Sequence, residues 1–199
     1  MNKVLILFAH PRFEKSKTNR ALLSCVDGLE GVTLNDLYEQ YPDFNIDIDR
    51  EKDLLLQHDV ILWHHPVYMY SAPAMIKQWI DVVLEYGWAH GGTGKALAGK
   101  TIFNVLTAGG IRESYAPGER NRFALREFML PFEQTAVLCN MVYLPPFVVH
   151  GTGRLTPKEL AGQVILYRQL LERLTAGELD IETVRHYDYL NDWLTENKG

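Results

Sequence analysis

The chain reads as a three-layer α/β protein, a doubly wound sheet of five parallel strands with helices on both faces. Three observations predict this. Apolar runs of strand length alternate with helix-patterned segments along the whole sequence, as repeated β–α–β units require. The clearest runs, Val4–Ala9 and Asp59–His64, are apolar without alternation, as strands buried on both faces are. With 199 residues, the chain can bury one sizeable core but is too short for two ordinary domains.

Met1-Asn2-Lys3 leads straight into the first strand, Val4–Ala9, with no basic region or small-residue cleavage site, so this end reads as strand and not as signal peptide. A helix over Asn19–Leu29 follows, then a more amphipathic strand, Val32–Leu37. Asp49–Gln57 is a short helix with Asp49 as N-cap. The third strand, Asp59–His64, opens into an aromatic loop and then a helix over Ala74–Glu85. Its Met75, Ile76, Trp79, Ile80, Val83 and Leu84 recur at helical spacing. Thr101–Thr107 is the fourth strand, Arg122–Leu138 a helix bearing Pro131, and Met141–Val149 the fifth strand. A last helix spans Pro157–Leu174 behind a Thr156 N-cap. Residues 177–199 are polar with scattered aromatics and read as an extension of one domain covering 1–199. Five strands so connected suggest the flavodoxin-like order 2-1-3-4-5, whose ligand-binding switch point lies at the C-terminal ends of strands one and three.

Composition excludes some function classes. The apolar runs fall far short of a membrane span. A net charge of −5 argues against nucleic acid as a main partner. Cys25 and Cys139 form no motif and suit a reduced, buried role in a cytoplasmic setting. No G-x-S-x-G elbow is present, which argues against an α/β-hydrolase. His10, His64 and His65 could approach one another, but adjacent strand residues point to opposite faces and no carboxylate completes a metal set.

Three loops on one predicted sheet edge carry the candidate site. After strand one come His10, Ser16, Lys17, Thr18 and Asn19, where hydroxyls, an amide and helix N-terminal amides make an anion site without glycine; an ordinary N-cap by Ser16 or Thr18 is the plainer reading. After strand three, His65–Asp81 sets Val67, Tyr68, Met69 and Tyr70 where a flat ligand would stack, or where aromatics simply pack a core connection. After strand four, Thr107-Ala108-Gly109-Gly110 allows close backbone approach to a ligand or makes a tight turn. A literal Walker A pattern, Gly94 to Thr101, is rejected because it runs into a β-branched strand, whereas a P-loop opens a helix.

Ala9-His10-Pro11, Ser16–Asn19, His65–Asp81, Gly87-Trp88-Ala89, Leu97–Lys100 and Thr107–Gly110 resemble the flavodoxin-fold NAD(P)H:quinone oxidoreductases. Leu37-Tyr38 and Tyr41–Ile48 are similar to the ancillary flavoproteins of bacterial glutathione-regulated potassium-efflux systems. The resemblance covers most of the chain. It implies a flavin, FMN ahead of FAD, with NAD(P)H as co-substrate and ping-pong hydride transfer to a quinone or other small electron acceptor. It implies that His10 and Ser16–Asn19 hold the phosphate side, Val67–Tyr70 line the isoalloxazine, and Thr107–Gly110 meet its pyrimidine edge. It implies a homodimer, with Tyr86–His90 near the interface, and a cytoplasmic protein, peripheral on the inner face of the membrane where the partner is a potassium-efflux channel. Tyr115 fits the Tyr of the mammalian members that assists hydride transfer. The companion His falls near Asn121, and that loop has no His; Arg120 and Arg122 are the cations nearby.

Overall fold

The computed structural model describes residues 1–197. Strands β1 (Val4–Phe8), β2 (Val32–Asp36), β3 (Val60–Pro66) and β4 (Thr101–Thr107) pair in parallel; β5 (Val142–Tyr143) and β6 (Phe147–Val149) both pair with β4. The order is β2-β1-β3-β4-β5, the flavodoxin-like order the sequence predicts. Every residue of β1 and β3 is buried, since helices cover both faces. The fifth position is not one strand over Met141–Val149. Pro145 and Pro146 have no N–H to give a ladder, and they cut it into β5 and β6.

In chain order the helices are α1 (Lys17–Leu23), α2 (Leu37–Gln40), α3 (Ile48–Gln57), α4 (Ala74–Val83), α5 (Leu125–Phe128), α6 (Leu130–Leu138), α7 (Pro157–Ala176), α8 (Ile181–Val184) and α9 (Leu190–Glu196). One core joins the sheet to α2–α6 through Leu37, Leu55, Met75, Ile76, Trp79 and Phe132. The other joins it to α1 and α7–α9 through Leu22, Tyr167, Leu170, Val184 and Trp193.

Caps and prolines explain where the helices depart from expectation. α1 starts at Lys17 because the Ser16 Oγ accepts the Asn19 N–H at 3.3 Å, and it stops at Leu23, well short of Leu29. Asp47, not Asp49, caps α3, accepting the Arg50 N–H at 3.0 Å. That phase turns Glu51 inward, fully buried. There its carboxylate accepts from Asn35 Nδ2 at 2.9 and 3.0 Å, Tyr41 Oη at 2.7 Å, Trp79 Nε1 at 2.8 Å and the Arg50 guanidinium at 2.5 Å. A buried charge is tolerable only with such a set of donors. The helix expected over Arg122–Leu138 breaks into α5 and α6. Pro131 lacks an N–H and is accommodated in the first turn of α6, where none is required. α7 carries the expected Thr156 cap, reinforced by a reciprocal Glu159 contact.

The segment after Gly177 braces the sheet edge. Leu190, Trp193 and Leu194 are buried, and the Asn191 side chain brackets Val148, accepting from its N–H at 2.8 Å and donating to its carbonyl at 3.1 Å. Residues 198 and 199 of the expected extension lie outside the described residues. Among the described residues no helix is long and apolar enough to cross a membrane.

Candidate functional site

The parallel register sets Phe8 beside His64, Pro66 beside Thr107, and Thr107 beside Val149. The loops leaving β1, β3, β4 and β6 therefore emerge from one edge. They enclose two clefts that share Val67 and Gly109.

The first cleft, of about 590 Å³, is lined by His10, Ser16, Lys17, Thr18, Asn19 and Thr107, with Tyr68 at its rim. The His10 Nδ1 accepts the Arg12 N–H at 3.0 Å, so the neutral ring carries its proton on Nε2, which lies 3.5 Å from the Tyr68 hydroxyl. Burial lowers the His10 pKa, with Glu14 opposing, and this favours the neutral ring. Arg12, Lys15 and Lys17 add three cations, and no carboxylate among the described residues lines the cleft. Such a wall suits an anion.

The second cleft, of about 490 Å³, is bounded by Val67, Met69 and Tyr70 on one side and by Gly109, Gly110, Ser114 and Tyr115 on the other. Met69 (φ 48°) and Tyr70 (φ 65°) are both left-handed, and Tyr68 and Ser71 exchange backbone hydrogen bonds at 3.1 and 3.0 Å across them. That is a type I′ turn without the glycine or asparagine it prefers, a strain of about 1–3 kcal/mol of the kind found at ligand clamps. The Tyr115 ring packs against Gly110, where any added Cβ would stand 2.9 Å from it. Burial, then Tyr70, raises the Tyr115 hydroxyl above its ordinary pKa, so it is a protonated donor at neutral pH.

The structure thus gathers most of the predicted residues into one place, with three differences. Tyr68, expected beside the ring, lines the first cleft next to His10 and not the second. Thr107 faces the first cleft with Ser16 and Asn19 and not the second. Ala108 lines neither; it is fully buried and its N–H is tied to Val149 O at 2.9 Å. Sequence reasoning missed the loop after β6, which supplies Thr152 and Gly153 to the first cleft and Arg154 to the second. Its Gly151-Thr152-Gly153-Arg154 run, at a strand end on the same edge, was the available signal. His150 was missed as well. Its ring lies 5.7 Å from that of Tyr115 and 5.4 Å from that of Tyr189, and neither nitrogen makes a hydrogen bond among the described residues. Burial, then Arg112, pushes its pKa down to about 4. Arg112 anchors the loop after β4 to α9 by a paired contact with Asp192 at 2.6 and 2.8 Å and lies 4.6 Å over the Tyr189 ring.

The remaining motifs resolve simply. Lys100 of the Walker-like run donates to His58 O at 2.6 Å and leads into β4, as a structural lysine. His64 and His65 face opposite cores, and among the described residues no three His, Cys, Asp or Glu side chains stand where they could hold a metal. Cys25 and Cys139 are buried thiols, each pushed up to about 11 chiefly by burial. Trp88 packs against the α2–α6 core with Lys52 over its ring.

A phosphate group suits the cationic, hydroxyl-lined first cleft, and a flat ring suits the second. A Cβ built on Gly109 meets no protein atom within 4 Å, so the backbone there borders open space that a ligand edge can approach. The architecture is that of the open α/β proteins, whose ligands bind at the switch point where this pair of clefts lies. The chain belongs to the family described as flavodoxin-like fold, which matches residues 2–173. It is 44% identical over 169 residues to the glutathione-regulated potassium-efflux system ancillary protein KefG of Pectobacterium carotovorum subsp. carotovorum (strain PC1), covering 85% of this chain and 92% of that one. The solved general stress protein 14 of Treponema denticola in complex with FMN superposes with a TM-score of 0.82 at 35% identity, over 86% of this chain and 99% of that one. An NADPH-quinone reductase from P. pentosaceus gives 0.78 at 32% identity, over 85% and 97%.

Proposed function

We propose that the protein is an FMN-dependent NAD(P)H:quinone oxidoreductase. The observation that carries the reading is the pair of adjoining clefts at the switch point, joined at Val67 and Gly109. When bound, FMN supplies the ring that accepts and returns a hydride; the protein supplies orientation and electrostatics. His10, Lys17, Thr18 and the Ser16 and Thr107 hydroxyls hold the phosphate side. Val67, Met69 and Tyr70 form one wall of the ring site, with Tyr68 on the phosphate side of that wall, and the Gly109 N–H, which has no partner among the described residues, faces the ring edge from the other. NAD(P)H and quinone use the second cleft in turn, in a ping-pong cycle. Arg120 and Arg154 draw the anionic dinucleotide in, and Tyr115 donates a hydrogen bond to the acceptor's developing oxyanion. The reading is supported by the likeness to the FMN-bound and quinone-reductase structures.

The purified protein is expected to bind FMN stoichiometrically and to oxidise NAD(P)H in the presence of quinone. A chain that neither binds added FMN nor turns over would end this reading. Tyr115→Phe is expected to retain FMN and lose about tenfold in kcat, roughly the worth of one hydrogen bond; an unchanged kcat would remove Tyr115 from the chemistry.

A second reading is favoured by the identity to KefG: an ancillary subunit that activates a potassium-efflux system, with turnover incidental. Channel activation by a variant that holds FMN but reduces no quinone would establish it. We further propose a homodimer, whose partner would cover the apolar groove between α4 and α6 lined by Ile80, Leu84, Phe132 and Leu138.

A further inference from the structure

Beneath the first cleft a chain of buried groups runs from its floor to α7. The Asn19 side chain contacts Ser16 Oγ at 2.9 Å and Thr107 Oγ1 at 3.1 Å through one end of its amide, and His64 Nε2 at 3.0 Å through the other. The second nitrogen of His64, Nδ1, lies 3.3 Å from the Tyr167 hydroxyl. Asn19, His64 and Tyr167 are all buried, and His64 and Tyr167 are wholly so.

We propose that Tyr167 and His64 are positioning residues that set the hydrogen-bond polarity of the cleft, turning the Ser16 and Thr107 hydroxyl protons outward toward a bound phosphate. The chain admits two arrangements. In the first, Tyr167 donates to His64 Nδ1, His64 Nε2–H donates to Asn19 Oδ1, and the Asn19 NH₂ donates to both hydroxyl oxygens. In the second every bond reverses. The Asn19 amide is flipped, the Ser16 and Thr107 protons point inward to its oxygen, and the cleft is left with acceptor lone pairs that repel an anion.

Tyr167 decides between them. Its hydroxyl has no other hydrogen-bond partner among the described residues. In the first arrangement its proton is used. In the second it accepts from His64 and its own proton is stranded in the core, which is the costly kind of failure for a buried donor. Burial holds the Tyr167 hydroxyl protonated and lowers His64 to about 3, so the ring is neutral and carries one proton to place. Ser16 Oγ also accepts the Asn19 N–H at 3.3 Å, so both of its lone pairs are occupied and its proton has only the cleft to face. The His10 Nε2 proton has the same sense. The cleft is therefore a set of donors before any ligand arrives, and this favours a phosphate ester over its hydroxyl counterpart.

The inference rests on the phosphate reading of the cleft, but its first test does not need a ligand. The ¹⁵N spectrum of the histidine-labelled apoprotein reports the His64 tautomer. The Nε2–H form is expected; the Nδ1–H form would overturn the proposal. Tyr167→Phe removes the deciding donor. In that variant FMN affinity, read by flavin fluorescence quenching, is expected to fall about tenfold, the effect of one misdirected hydrogen bond, while riboflavin affinity stays unchanged. Equal losses for both ligands, or no loss for either, would also overturn it, and where Tyr167→Phe fails to fold the tautomer of the unaltered chain decides. A wild-type chain that binds neither flavin ends the proposed function, and the tautomer still decides the polarity of the network.

Discussion

Gly109→Val is expected to weaken flavin binding severely while leaving the fold intact. Gly109 belongs to both clefts, and a Cβ there meets no protein atom within 4 Å. Its φ lies outside the left-handed region, so valine introduces no backbone strain. The branched side chain projects where the ring edge and the Gly109 N–H must meet. Overpacking costs about 1–3 kcal/mol and the lost hydrogen bond about 1 more, so affinity should fall by about 30- to 1,000-fold. The thermal midpoint should move by no more than a few degrees. Gly110 makes the contrast. A Cβ there would stand 2.9 Å from both Ser114 Oγ and the Tyr115 ring, so valine must displace the loop, and lost binding would not separate site from scaffold. A Gly109→Val protein that holds flavin as tightly as the wild type would take the ring edge away from this loop.

The two glycines look alike in sequence and act differently in the structure, and this marks where legibility ends. The sheet was readable because burial on both faces leaves continuous apolar runs, and Thr101–Thr107 is a strand with the bounds its β-branched and apolar residues predict. The gathering of the candidate loops followed from topology, since alternating strands and helices bring certain loops to one edge whatever their residues. What failed were features decided by one polar atom. Asp47 and Asp49 are both good caps, and only the inward turn of Glu51 onto Asn35, Tyr41 and Trp79 selects the first. Thr107 ends β4 beside the glycines, yet its hydroxyl meets Asn19 in the first cleft, a pairing of residues 88 positions apart. His150 stands behind Tyr115 although it comes from a loop far along the chain, and no local pattern announces it.

Those buried histidines carry the second large expectation: the protein should lose stability steeply as the pH falls below about 6.5. His64 is pushed down to about 3, and His65 and His150 to about 4, with burial the leading cause in each case. The unfolded chain takes up these protons near the ordinary histidine pKa of about 6.5 while the native state refuses them. The unfolded state then holds more protons, and stability rises with pH across the window from about 4 to 6.5. Each group contributes about 1.4 kcal/mol per pH unit once the window is entered, so three give about 4 kcal/mol per unit. Across that window the loss comes to about 10 kcal/mol, so for a total stability of about 5–10 kcal/mol unfolding at room temperature is expected between about pH 4 and 5.5, with an uptake of about three protons. His150→Phe tests the arithmetic. Its ring nitrogens make no hydrogen bond among the described residues, and its neighbours Tyr115 and Tyr189 are aromatic. Phenylalanine should therefore raise stability at pH 5 by about 1–3 kcal/mol and reduce the proton uptake by about one. An unaltered pH slope would mean that native His150 already carries its charge. His64 gives the slope a functional side. Its neutral ring passes the polarity of Tyr167 to Asn19, and protonating it would put a donor at Nδ1 facing the Tyr167 hydroxyl. Loss of FMN on acidification should accordingly follow the unfolding curve and not precede it, since His64 takes its proton only when the core opens.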